Sequence, residues 1–152
     1  MTGEIVTFAG LVHPWMCDSM GHLNVRHYAA MFDDASFQLL GRLAGLEADV
    51  GLGWADVSTE IQYRRETRVG TLVTITSQIS KIGNSSITYD HALCGTLDGL
   101  VRATCRTVSV RFDLASRTKT NVGATVRQRA KEFIRKRESD SDESECSTSC
   151  LP

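Results

Sequence analysis

Residues 24–43, NVRHYAAMFDDASFQLLGRL, set Val25, Tyr28, Phe32, Ala35, Leu39 and Leu43 at helical spacing. Such a stripe predicts one amphipathic helix of about five turns. Asn24 stands where an N-cap belongs, and Gly41 and Gly45 mark the fraying end. Downstream the period changes. Val57, Thr59, Ile61 and Tyr63 alternate with polar neighbours, as do Val73, Ile75 and Ile79, then Ile87, Tyr89, His91 and Leu93. Each series reads as a half-buried strand, with 51–53 as the loop after the helix. A further strand over 101–112 begins with Val101, Ala103 and Cys105 on one face and ends with Val108, Val110 and Phe112 on the other, which predicts a bulge near Arg106-Thr107. Gly83-Asn84 and Asp98-Gly99 are hairpin signals. Residues 4–12 supply a strand ahead of the helix.

One helix among antiparallel strands is best buried if the sheet curls around it, an α+β arrangement. Such a sheet keeps an open edge, and pairing with a second copy is the expected remedy. The chain has 152 residues and a formal charge of -1, which suits one domain and gives no global field for nucleic acid or a membrane. Its apolar runs are too short to span a bilayer, and the N-terminus lacks the pattern of a secretory signal, so a cytoplasmic protein is expected. Five cysteines without a C-x-x-C pair read as reduced thiols.

The expected organisation is a domain over 1–123, a basic amphipathic helix over 124–138 and an acidic, Ser-rich disordered tail over 139–152. Residues 1–138 hold seventeen bases and fourteen acids, a net of +3, and the tail adds four acids and no base. Val126, Ala130, Phe133 and Ile134 form the apolar edge of the C-terminal helix, opposite Arg127, Arg129, Lys131, Arg135 and Lys136. It reads as a solvated helix docked by one edge, ahead of an anion or nucleic-acid site.

The chemistry concentrates in residues 13–24, HPWMCDSMGHLN, between the first strand and the helix. Asp18 lies a few residues before the helix start, with Gly21 between. It could order the loop as a capping carboxylate, or face the helix's unpaired N–H groups and serve acyl transfer as nucleophile or general base. His13, Cys17, His22 and His27 match no zinc spacing, so no metal is expected. Cys17 lacks an activating neighbourhood, and His91 reads as a hydrogen-bonded core or interface histidine.

The run Asp18-Ser19-Met20-Gly21-His22-Leu23-Asn24, followed by Tyr28 and Phe32-Asp33-Asp34-Ala35, resembles the D-x-x-G-H-x-N stretch of the hotdog-fold acyl-CoA thioesterases of the 4-hydroxybenzoyl-CoA thioesterase superfamily. The similarity covers residues 4 to about 121. It implies a five- or six-stranded antiparallel sheet wrapped around one long helix, in dimers or dimers of dimers with sites between subunits. It also implies hydrolysis of an acyl-CoA thioester with no cofactor, coenzyme A being part of the substrate. By resemblance Asp18 is the catalytic carboxylate and Val25 supplies a backbone N–H to the thioester carbonyl, while His22, Asn24 and Tyr28 shape the loop and acyl pocket. Relatives often carry an acid two positions before the Asp and a second Asn after the first; here Met16 and Val25 stand there, leaving the acyl preference open.

Coenzyme A phosphates call for a basic rim. Arg64, Arg65 and Arg68 at the end of one strand, and Lys81 with Ser85 and Ser86 at the end of the next, are the candidates. The rival expectation is a non-catalytic acyl-CoA or acyl-carrier binding module on the same fold. Nucleic-acid binding through 127–137 comes last.

Overall fold

The computed structural model describes residues 3–45 and 51–134. In order come β1 (Ile5–Leu11), α1 (Val25–Ala44), β2 (Leu52–Tyr63), β3 (Leu72–Ile82), β4 (Ser86–Gly95), β5 (Val101–Asp113), β6 (Thr118–Lys119) and α2 (Ala124–Ala130), with 3-10 turns at Pro14–Met16 and Lys131–Phe133. The antiparallel sheet runs β1-β3-β4-β5-β2, and β6 pairs with the end of β5. Wrapped around α1, it is the hotdog fold expected from the sequence.

Helix α1 forms where the stripe predicts. The Asn24 side chain accepts the Arg26 N–H at 3.1 Å, and the chain leaves the helix at Gly45, whose φ of 75° favours a residue without Cβ. The buried face is wider than the stripe, adding Met31, Ser36, Leu40 and Ala44, while Val25 is exposed at the helix mouth. Two clusters hold the helix to the sheet. Tyr28, Phe32 and Ala35 pack with Val73, Ile75, Leu93 and Ala103; Leu39, Leu40 and Leu43 pack with Ile79, Ile87, Tyr89 and α2. Each buried Leu or Ile contributes about 1.5–3 kcal/mol relative to exposure.

A polar chain crosses this apolar interior. Thr7 Oγ1 pairs with Ser77 Oγ at 2.6 Å, Ser77 with His91 Nδ1 at 2.5 Å, and His91 Nε2 with Ser36 Oγ at 3.0 Å. It ties β1, β3, β4 and α1 into one register. Burial pulls the His91 pKa down to about 4, so the imidazole is neutral.

Three expectations need correction. Strand β2 starts at Leu52, because Leu52 and Gly53 pair with Asp113 and Phe112 of β5 instead of forming a loop. The bulge expected at Arg106-Thr107 is absent: β5 keeps one phase, and its inward face turns polar with buried Thr107, Ser109 and Arg111 while Val108, Val110 and Phe112 face outward. Partners make this tolerable. Ser109 bonds Tyr89 and Asp56, and the Arg111 guanidinium sits 4.7 Å from the Trp54 ring centre. The extra residues fall instead at Val57 in β2, opposite Ser109 and Val108, and at Arg102 in β5, opposite Leu93 and Cys94.

Third, the basic residues of α2 are not all solvated. Val126 and Ala130 are buried, and Arg129 donates to the Leu43 carbonyl at 3.1 Å, satisfying the C-terminus of α1. Arg127 donates to the carbonyls of Gly83 and Asn84, locking the β3–β4 turn. The supposed tail and residues 135–138 lie outside the described residues. Among the described residues no helix is long and apolar enough to cross a membrane.

Candidate functional site

The loop between β1 and α1 is a small folded unit. Asp18 N–H donates to the His22 carbonyl at 2.9 Å and Gly21 N–H to the Asp18 carbonyl at 3.0 Å, closing a tight turn. Gly21 sits at φ 77°, which explains a glycine before His22. Asp18 Oδ1 accepts the N–H groups of Met20 at 2.9 Å and His22 at 3.4 Å. Leu23 is buried and its N–H donates to the Thr67 carbonyl, while Asn24 N–H donates to Met16. The loop is therefore fixed both to the core and to the helix it precedes.

At the helix mouth the Asn24 side chain takes the Arg26 N–H, and the Asn24 carbonyl takes those of His27 and Tyr28. The Val25 N–H is bonded to nothing among the described residues. Asp18 and Val25 line the same cavity, of about 290 Å³, together with Met20, His22, Tyr28 and the 63–67 segment. Asp18 and Val25, the latter at the helix N-terminus, thus border one space.

The opposite wall comes from the end of β2. The Tyr28 hydroxyl pairs at 2.7 Å with Thr67 Oγ1, which is fully buried, and the Tyr28 ring meets Tyr63 edge-on at 5.2 Å. Burial raises the Tyr28 pKa, so the phenol is neutral. His22 Nε2 lies 3.2 Å from Glu66 Oε2. Arg64 and Arg65 reach the rim, their backbone N–H groups held by the Arg102 carbonyl. Tyr63, Glu66 and Thr67 carry no local signal of a site in the sequence. They become wall residues only through the crossing of the β2–β3 connection over the loop, as at the His22–Arg68 bridge.

Lys81, Ser85 and Ser86 lie elsewhere. Consecutive β2 and β3 run in opposite directions, so the end of β3 is at the far side of the sheet from the end of β2. The turn they flank is bonded to α2. Within one chain they do not join the Asp18 cavity. The loop histidines also diverge: His13 stacks on Trp15, His27 meets Trp15 edge-on and His22 turns to Glu66. Cys17, Cys94 and Cys105 are free thiols.

A second cavity, of about 360 Å³, opens beside the later turns of α1, lined by Asp33, Phe37, Leu40, Trp54, Asp56 and Arg111 among others. Trp54 Nε1 is buried with no hydrogen-bond partner among the described residues. Desolvation, then the nearby Asp56 and Asp34 carboxylates, raise the Asp33 pKa.

The family model of the thioesterase-like superfamily matches residues 12–134, which extends the likeness past β6 and through α2. Among solved structures, the Staphylococcus aureus protein SAV2348 in complex with CoA superposes with a TM-score of 0.79 at 13% identity, covering 98% of this chain and 97% of its own. The PA5185 protein of Pseudomonas aeruginosa gives 0.75 at 21% identity, covering 84% and 90%. The 1,4-dihydroxy-2-naphthoyl-CoA thioesterase Slr0204 of Synechocystis gives 0.72 at 14%, covering 84% and 95%. At these identities the likeness is one of fold. No curated protein matches the sequence.

Proposed function

We propose that this chain, which belongs to the thioesterase-like superfamily, hydrolyses an acyl-CoA to the free acid and coenzyme A with Asp18 as its catalytic carboxylate. The observation that carries this reading is the shared cavity of Asp18 and the unbonded Val25 N–H. The carbonyl oxygen of the thioester would point at that N–H, where negative charge developing on attack meets the positive end of α1. Asp18 Oδ2 then takes a proton from water as the water oxygen attacks the carbonyl carbon. The tetrahedral oxyanion collapses, the carbon–sulfur bond breaks, and the thiolate leaves as the thiol after receiving that proton. Direct attack by the carboxylate, giving an anhydride that water opens, uses the same geometry.

Strand β2 is an open edge of twelve residues, largely exposed. Antiparallel pairing of two such edges about their middle would bring the Tyr63 end of one copy beside the Leu52 end of the other. The Asp18 cavity of each copy would then meet the second cavity of its partner. On this reading the active site lies between subunits, and the acyl group enters beside Phe37, Leu40 and Trp54. Arg64 and Arg65 would meet the coenzyme A phosphates. The free thiols suit a cytosolic setting.

A second reading has its own support. Asp18 Oδ1 is engaged by the loop, as a purely structural carboxylate would be, which suits a non-catalytic acyl-CoA binding module. Thiol release across short, branched, aromatic and long-chain acyl-CoAs separates the two. Turnover supports hydrolysis; saturable binding of all of them without thiol release contradicts it.

A further inference from the structure

We propose that Glu66 is a positioning residue of the site and acts on Asp18 through His22. The inference rests on the reading of Asp18 as the catalytic carboxylate and adds to it a residue from another part of the chain. His22 holds Asp18 at two points. Its carbonyl takes the Asp18 N–H at 2.9 Å, and its own N–H donates to Asp18 Oδ1 at 3.4 Å. Whatever fixes His22 therefore fixes the angle at which the carboxylate meets the cavity, and small errors of angle at a reacting group are costly.

His22 is itself held from the β2–β3 connection. Its backbone bridges Arg68, the Leu23 N–H that follows donates to the Thr67 carbonyl at 2.8 Å, and its ring Nε2 lies 3.2 Å from Glu66 Oε2. The last of these adds a side-chain tie to two backbone ones. The His22 side chain is 20% exposed and that of Glu66 73%, so the ring is the inner partner and the carboxylate reaches it from the solvent side. Arg64 stands two residues from Glu66, yet its guanidinium turns to Gln62 Oε1 at 2.5 Å. Glu66 lines the same cavity as Asp18, and its charge is felt on the cavity wall: burial first, and the Glu66 carboxylate after it, raise the Tyr28 pKa. A second carboxylate there, left unmatched, would oppose both the charge of Asp18 and the developing oxyanion. Bonded to His22, it is matched by a donor and steadies the turn that carries Asp18. Exposed pairs contribute little to global stability, so the effect of this one is local.

The test is a double-mutant cycle of Glu66→Gln and His22→Gln, with Glu66→Asp as the variant that keeps the charge. Steady-state rates are measured on octanoyl-CoA and octanoyl-pantetheine, and the amide resonance of Met20, whose N–H donates to Asp18 Oδ1, is followed by NMR. The expected result for Glu66→Gln is a kcat about threefold to fivefold lower on both substrates, the scale of an exposed ion pair, with KM unchanged and the Met20 resonance displaced. Glu66→Asp should stay within twofold of the wild type. In the His22→Gln background, Glu66→Gln should change neither kcat nor the Met20 resonance, because the path between the two carboxylates is already cut. Effects that multiply across the cycle overturn the proposal, since Glu66 then acts without His22. A rise in KM confined to octanoyl-CoA also overturns it and assigns Glu66 to the substrate phosphates. If the wild type cleaves neither thioester, the NMR arm decides alone: a Met20 displacement that depends on His22 keeps the Glu66–His22–Asp18 link and removes the activity, and an unmoved resonance overturns the link.

Discussion

Asp18 Oδ1 accepts the Met20 N–H at 2.9 Å, while Oδ2 has no hydrogen bond among the described residues. One oxygen orders the loop and the other is left for the cavity. This division makes two substitutions behave differently. Asp18→Asn can keep an acceptor at Oδ1 and hence the turn. Asp18→Ala removes it, and thermal unfolding should show a loss of about 1 kcal/mol for Ala against little change for Asn.

The rim arginines give a second expectation. Arg64→Ala with Arg65→Ala should raise KM for an acyl-CoA about tenfold, the worth of one charge-assisted hydrogen bond, while leaving the acyl-pantetheine KM unchanged. Added salt should reproduce part of the effect on the wild type. Equal losses on both substrates would show that the arginines hold the fold and not the phosphates.

Tyr28→Phe strips Thr67 Oγ1 of its partner at a fully buried position. Stability should drop by about 1–2 kcal/mol. The phenol takes no part in the proposed proton transfer, so turnover should fall far less than in Asp18→Asn. Denaturant midpoints and steady-state rates on the same preparations check both.

His91 makes the fold sensitive to acid. Burial lowers its pKa from 6.5 to about 4, so below pH 6.5 the unfolded chain binds a proton that the folded chain refuses. Stability from this group is complete above pH 6.5 and lost as pH falls toward 4, by about 3 kcal/mol in all. His91→Leu should be less stable at pH 7, having broken the Ser77–His91–Ser36 chain, yet lose less on acidification. Urea unfolding at pH 7, 5.5 and 4.5 reads the two slopes.

What local periodicity encodes is legible in the sequence. Helix α1 and its Asn24 cap, the Gly83-Asn84 and Asp98-Gly99 turns, and Asp18 before the helix are all decided within a few residues. What register decides is not. The start of β2 carries no alternation, because Leu52 and Gly53 are strand only through pairing with β5. The phase change read in β5 was a change of chemistry on a constant face, as Ser109 and Arg111 replace aliphatic residues inward, Ser109 bonded to Tyr89 and the Arg111 guanidinium over the Trp54 ring. Tyr63, Glu66 and Thr67 are distant in sequence from Asp18 and meet it only after the sheet closes. Arg64 and Lys81 follow strands that run in opposite directions, so within one chain they fall on opposite sides of the sheet, a separation that neither stretch encodes alone.

The central claim, that the Asp18 carboxylate and the N-terminus of α1 act on one thioester carbon, is tested most directly by thiol release from the best acyl-CoA of the panel, measured for the wild type and for Asp18→Asn at matched thermal stability. The account predicts a turnover about 10²–10⁴-fold lower in Asp18→Asn with substrate still bound. Turnover within a few-fold of the wild type would contradict it.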